Sequence, residues 1–229
     1  YADARYEEAL ALFTALEDYQ DAEAQVRRSR YAYAGQLRDA GEYEEAAAQY
    51  EACGVYLDAE DRALRAHYDA AAALEAAGCR IIRAAVPDRE AVPLIAALKE
   101  HTGMPVVADI HFDYRLALEA VAAGADKIRI NPGNIGGADR VRAVANACNE
   151  RKIPIRVGVN SGSVERELLA RFGGPTAEAM VESAARHLKM LEEADFENTV
   201  LSLKSSDLKT MAAAYRLAAE RFDCPLHLG

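Results

Sequence analysis

Polar side chains recur at alternate positions inside six short apolar runs: Arg83; Asp109 and His111; Arg129 and Asn131; Arg156 and Asn160; Ser202 and Lys204; and His227. In "ADKIRINPGNIGG", residues 125 to 137, Lys127, Arg129 and Asn131 sit at every second place among isoleucines. Burying an unpaired cation costs several kcal/mol or more, on the order of what a domain's whole stability amounts to. Three arginines and a lysine gathered in a half-buried space therefore need anions to neutralise them, and on that face only Asp109 offers an internal countercharge. A polyanionic small molecule, most simply a diphosphate, supplies the rest. Arg would give it forked hydrogen bonds and Lys a compact charge. Asn131 and Asn160 are suited to orienting hydroxyls or phosphate oxygens. "NPGNIGG" leads into a helix starting near Ala138, whose backbone N–H groups can hold an anion. A single Arg at a strand end is more often a loop-anchoring ion pair. Recurrence in all six runs is what carries the functional reading.

The elements that must position these residues alternate. Apolar runs at 80–87, 105–112, 126–131, 153–160, 199–206 and 224–229 are separated by helical periodicity, as in "DYRLALEAVAAG" and "PTAEAMVESAARHLKMLEEADF". Such alternation means βαβ units and a parallel sheet, either doubly wound or most of an eight-stranded barrel. Within each strand the polar positions differ by two or four, so they share one face. In a barrel that face is the lumen, and its C-terminal mouth is where ligands bind. His101 and His187, on helical segments, read as surface residues, and Asp113 reads as an N-cap.

Residues 1–78 have a different character. Segments 5–41 and 42–78 align without a gap at a 37-residue period, matching Tyr6 with Tyr43, Phe13 with Tyr50, Tyr19 with Tyr56, Asp21 with Asp58, Tyr31 with Tyr68 and Gly41 with Gly78. Each unit reads as a short helix, a turn and a longer Ala-rich helix closed by Gly, similar to tetratricopeptide-type repeats. The aromatics are expected to fill the seams between helices. All of the net charge of -10 lies in this part, and neither part has the basic excess of a nucleic-acid binder. No run approaches a membrane span. The cysteines, Cys53, Cys79, Cys148 and Cys224, are far apart with no C-x-x-C pair, which suggests neither zinc nor a disulfide framework but a reduced, cytoplasmic protein. The expected organisation is helical-hairpin repeats over 1–78 followed by a partial barrel over 79–229.

The segments "GCRIIRAAVPD", "PVVADIHFDYRLALEA", "GADKIRINPGNIGG", "IPIRVGVNSGSVERELL", "VLSLKSSD" and "PLHLG" resemble, in order, those of 4-hydroxy-3-methylbut-2-enyl diphosphate synthases, over residues 78–229. The resemblance implies an incomplete (β/α)8 TIM-type barrel with about six parallel strands. It also implies reductive ring opening of 2-C-methyl-D-erythritol 2,4-cyclodiphosphate in isoprenoid biosynthesis. A [4Fe–4S] cluster held by three Cys and one Glu of a separate domain would supply the electrons, with reduced ferredoxin or flavodoxin as donor. Arg129, Arg156 and Lys204 would hold the diphosphate, while Arg83, Asp109, His111, Asn131, Asn160, Ser202 and His227 would shape the pocket.

The family's first strand, its eighth strand and its cluster domain have no counterpart here, and none of the four cysteines occupies a cluster-ligand motif. The chain is thus expected to be a fragment, inactive as a reductase alone, joining a repeat array to the middle of a barrel. Its open edges call for cover by another element or by a second copy in a homodimer. Two other readings stand beside this one. The chain could be a helical-repeat interaction module fused to an inert barrel remnant. It could also be an unrelated phosphate-binding barrel such as a pterin-pathway synthase or an aldolase.

Overall fold

Alternation of apolar and polar residues in the strands has its counterpart in a sheet with two unlike faces. The computed structural model describes residues 5–16 and 21–228, so the expected match of Tyr19 with Tyr56 lies outside the described residues. The chain divides into two compact units, residues 1–79 with 101–103, and residues 80–100 with 104–229.

In the first unit, short helices α1 (Tyr6–Ala15) and α3 (Tyr43–Glu51) each precede an 18-residue helix, α2 (Ala22–Asp39) and α4 (Ala59–Ala76). Gly41 and Gly78 end the two long helices at φ 84 and 94, a left-handed turn that a side chain would strain. Tyr31 meets both Tyr50 and Tyr56 edge-on, with ring centroids 5.5 and 5.6 Å apart. Together with Ala34, Cys53, Ala59 and Ala63 these rings form a core, so the aromatics do fill the seam.

The second unit carries five parallel strands whose spatial order is their chain order: β1 (Ile82–Ala85), β2 (Val106–Asp109), β3 (Lys127–Ile130), β4 (Ile155–Asn160) and β5 (Thr199–Lys204). Helices α5 (Val92–His101), α6 (Tyr114–Ala122), α8 (Ala138–Arg151), α10 (Ala177–Glu192) and α11 (Leu208–Arg221) fill the crossovers, with short helices α7 (Pro132–Ile135) and α9 (Arg166–Phe172) between them. Asp113 caps α6 as expected, accepting from the Arg115 N–H, and Asp207 caps α11 in the same way.

One face of the sheet is apolar. Val106, Ala108, Ile110, Ile128, Ile130, Ile155, Val157, Val159, Leu201 and Leu203 are all buried, and α6, α10 and α11 pack on the strands. Each large side chain so covered contributes about 1.5–3 kcal/mol. Register places Arg83 beside Val107 and Lys127, then Asp109 beside Arg129 and Arg156, then Gly158 beside Ser202 and Asn160 beside Lys204. All of these stand on the opposite face.

The expected sixth strand is reduced to a single parallel bridge, Leu201 to Leu226. Leu201 N–H donates to Pro225 O, and His227 N–H donates to Leu201 O. Pro225 has no N–H with which to extend a ladder. The sheet is an open arc, not a closed barrel.

Candidate anion-binding site

Because β2, β3 and β4 are in register, Asp109, Arg129 and Arg156 stand side by side on the polar face. Asp109 is 5 % exposed and is the hub. Its Oδ1 accepts from Arg129 Nη1 at 2.9 Å and lies 3.8 Å from His111 Nε2, while its Oδ2 is 3.6 Å from Arg83 Nε. One carboxylate is thus shared between two guanidiniums and an imidazole.

Arg156 has no such partner. It is only 5 % exposed, and its Nε makes no hydrogen bond among the described residues. Burial lowers the pKa of its guanidinium, and the neighbouring Arg83 and Arg129 push the same way, with Asp109 opposing them. Burial, and then Arg156, likewise hold the Lys127 ammonium below its ordinary value. His227 is held low by burial and then by Arg156, Lys127 and Arg83. Four cations and a histidine are therefore within each other's fields, with Asp109 the one carboxylate on this face of the strands among the described residues. An arrangement this uncompensated is stabilised by any anion that enters it.

The guanidinium of Arg129 lies across the bare backbone of β4. A Cβ on Gly158 would sit 2.4 Å from Arg129 Nε and 2.6 Å from Nη2. Gly158→Ala is expected to push Arg129 off Asp109, lower stability by roughly 1–3 kcal/mol through overpacking and weaken anion binding about tenfold. Thermal unfolding and titration calorimetry on the one variant would check both effects.

The asparagines stand at the exits of β3 and β4. Asn131 is buried; its Oδ1 accepts from Gly133 N–H at 3.1 Å and its Nδ2 donates to Ser163 Oγ at 3.2 Å. Ser163 Oγ also donates to Asn160 O at 3.0 Å. Asn131 thus ties the exit of β3 to the exit of β4. Ser202 Oγ donates weakly to Val157 O at 3.4 Å. Lys204, one register step nearer the rim beside Asn160, is exposed, as are Arg83, His111 and His227.

Three residues stand outside the set expected from the sequence to form the site. Lys127 was visible in the same alternation as Arg129. Gly158 depends on β3–β4 register. The third, His187, corrects an expectation: it is not a surface residue but 2 % exposed. It occupies the inward stripe of α10 with Met180, Ala184 and Leu191, a helical spacing that places it in the core.

The cysteines do not fit an iron–sulfur cluster. Cys148 is fully buried in α8, where burial pushes its thiol up to about 12, the wrong direction for a thiolate ligand. Cys53 is buried in the helical unit, and the described residues contain no cluster of three metal-ligating side chains. Hollows of about 390 Å³ along α3 and α4 and about 400 Å³ along α10 and α11 are lined by none of these polar-face residues.

Comparison with known proteins places these observations. A 4-hydroxy-3-methylbut-2-en-1-yl diphosphate synthase (flavodoxin) of Bacillus cytotoxicus is 57% identical over 155 residues, 68% of this chain and 42% of that protein. The Bacillus cereus (strain B4264) protein of the same name is 56% identical over the same span. The chain therefore spans less than half the length of these curated relatives. A crystal structure of dihydropteroate synthetase with a product superposes with a TM-score of 0.51 at 18% identity, over 75% of this chain and 67% of that one, which shows the fold alone. The GcpE TIM-barrel domain matches residues 57–229, taking in α4 as well as every strand, and the chain belongs to that family.

Proposed function

We propose that the polar face binds the diphosphate of 2-C-methyl-D-erythritol 2,4-cyclodiphosphate, as the substrate-holding part of an isoprenoid-pathway synthase that makes 4-hydroxy-3-methylbut-2-enyl diphosphate. The observation that carries this reading is Arg156, buried with an unpartnered Nε beside Arg129. Arg129 and Arg156 hold the diphosphate from the floor, and Lys204 reaches it from the rim. Arg83, His111 and His227 add donors around the edge. Asp109 keeps Arg129 oriented, its forked donors aimed along the face. Asn131, Asn160 and Ser202 set the shape of the strand exits.

This chain's share of the reaction is binding and orientation. The Bacillus relatives are named for flavodoxin, and we propose the same donor for the whole enzyme, whose cluster would deliver the electrons that open the ring. Four free thiols fit a reducing, cytoplasmic compartment.

Titrating the cyclic diphosphate into the full chain and into Arg129→Ala tests the proposal. Binding by the first and about 10–100-fold weaker binding by the second is expected, the loss of one or two charge-assisted hydrogen bonds. Equal or absent binding in both would instead favour a helical-repeat interaction module with an inert barrel part.

A further inference from the structure

Behind the anion site lies a polar cluster to which that reading gives no role. His187, on α10, faces the turn that follows β3. Its Nε2 is so close to Gly133 that a Cβ there would sit 2.7 Å from Nε2 and 3.4 Å from Cε1. Nε2 is also 3.5 Å from Glu165 Oε1, longer than an ordinary hydrogen bond. Nδ1 of His187, Oε2 of Glu165 and Oγ of Ser183, one helical turn before His187, are buried without a hydrogen-bond partner among the described residues. A polar ring held in such a place is there for its shape and position, since an apolar side chain would avoid these unmade bonds.

Gly133 is where the turn takes its bearings. Its N–H donates to Asn131 Oδ1, whose amide in turn reaches Ser163 at the exit of β4. Asn131 follows Arg129 by two residues on β3's polar face. A displacement of Gly133 is thus passed through Asn131 to the strand ends that carry Arg129 and Arg156.

We propose that His187 is a positioning residue: its imidazole seats Gly133, and through Asn131 it fixes the floor of the anion site. This rests on the reading of that face as an anion site. Burial draws His187 below its ordinary pKa, with Glu165 opposing and Arg186 reinforcing. The ring therefore sits neutral at pH 7 and acts by packing rather than by charge.

A double-mutant cycle tests the seat, with inorganic pyrophosphate as the probe and calorimetry on the full chain as the measurement. In the presence of His187, Gly133→Ala should weaken binding tenfold or more, because the new methyl collides with the ring. In a His187→Ala background, itself about 3–10-fold weaker than wild type, the same change should cost almost nothing further. His187→Gln, which returns an amide nitrogen to the place of Nε2, should recover most of the affinity and keeps the test open if the alanine variant folds poorly. Hydrogen exchange of the 131–137 amides in ligand-free protein runs the same cycle without any anion. Additive effects in both measurements overturn the seat. Coupled exchange in a wild-type chain that binds no pyrophosphate overturns the anion-site reading and leaves the seat standing.

Discussion

Replacing Arg156 with methionine should make the protein more stable and remove its affinity for diphosphate. The buried guanidinium has an unpartnered Nε and stands beside Arg129 with Arg83 and Lys127 nearby. Its desolvation is therefore not repaid in the ligand-free protein. Methionine fills much of the same space with a flexible apolar chain. Exchanges of buried ions for apolar residues commonly stabilise by about 1–4 kcal/mol, and a gain of about 2 kcal/mol would raise Tm by roughly 4–8 °C in a chain of this size. Pyrophosphate affinity should fall about 100-fold with the loss of a bidentate, charged donor. A thermal scan and a titration on the same preparation read both. A fall in Tm together with the fall in affinity would mean that Arg156 is a structural ion-pair partner and not a waiting ligand.

Asp109→Asn should behave in the opposite way. The substitution keeps volume but removes the countercharge that Arg129 holds at 2.9 Å and Arg83 at 3.6 Å. Breaking a buried pair from one side costs about 3–5 kcal/mol because the surviving charge is left uncompensated. The ligand-free variant should therefore melt well below wild type. Saturating pyrophosphate restores the missing negative charge, so the ligand-induced rise in Tm should be larger in the variant than in wild type. An equal or smaller rise would show that Asp109 does not share its field with the anion. Together the two substitutions separate the contribution of this face to folding from its contribution to binding, which no alanine scan of the rim would do.

How much of this could be read beforehand follows from the range of the forces involved. Period-two alternation is local, so the strands and their polar face were legible from "KIRIN" and "VVADIHF" alone. Pairing across strands is not local. That Arg129 lies over Gly158, or that Arg129 and not Arg156 takes Asp109, depends on a register set by packing on the far side of the sheet. An amide such as Asn131 can serve a ligand or its own backbone equally well, and its bond to Gly133 N–H comes only with the following Pro132–Ile135 turn. His187 was legible in principle: at i, i+4, i+7 and i+11 with Met180, Ala184 and Leu191 it lies on the inward stripe, and its polarity concealed this. The last apolar run looked like a sixth strand by composition, yet its proline leaves it a single bridge.

The order of the strands in space has a consequence for how the chain acquires its structure. Every hydrogen-bonded strand pair joins immediate neighbours in sequence, and the longest excursion between partners is the one that carries α9 and α10. Among the described strands, each pairs with the one that precedes it. Each βα unit emerging from the ribosome finds its docking surface already laid down by the one before, so the arc can grow by accretion, with one helical crossover to close at each step.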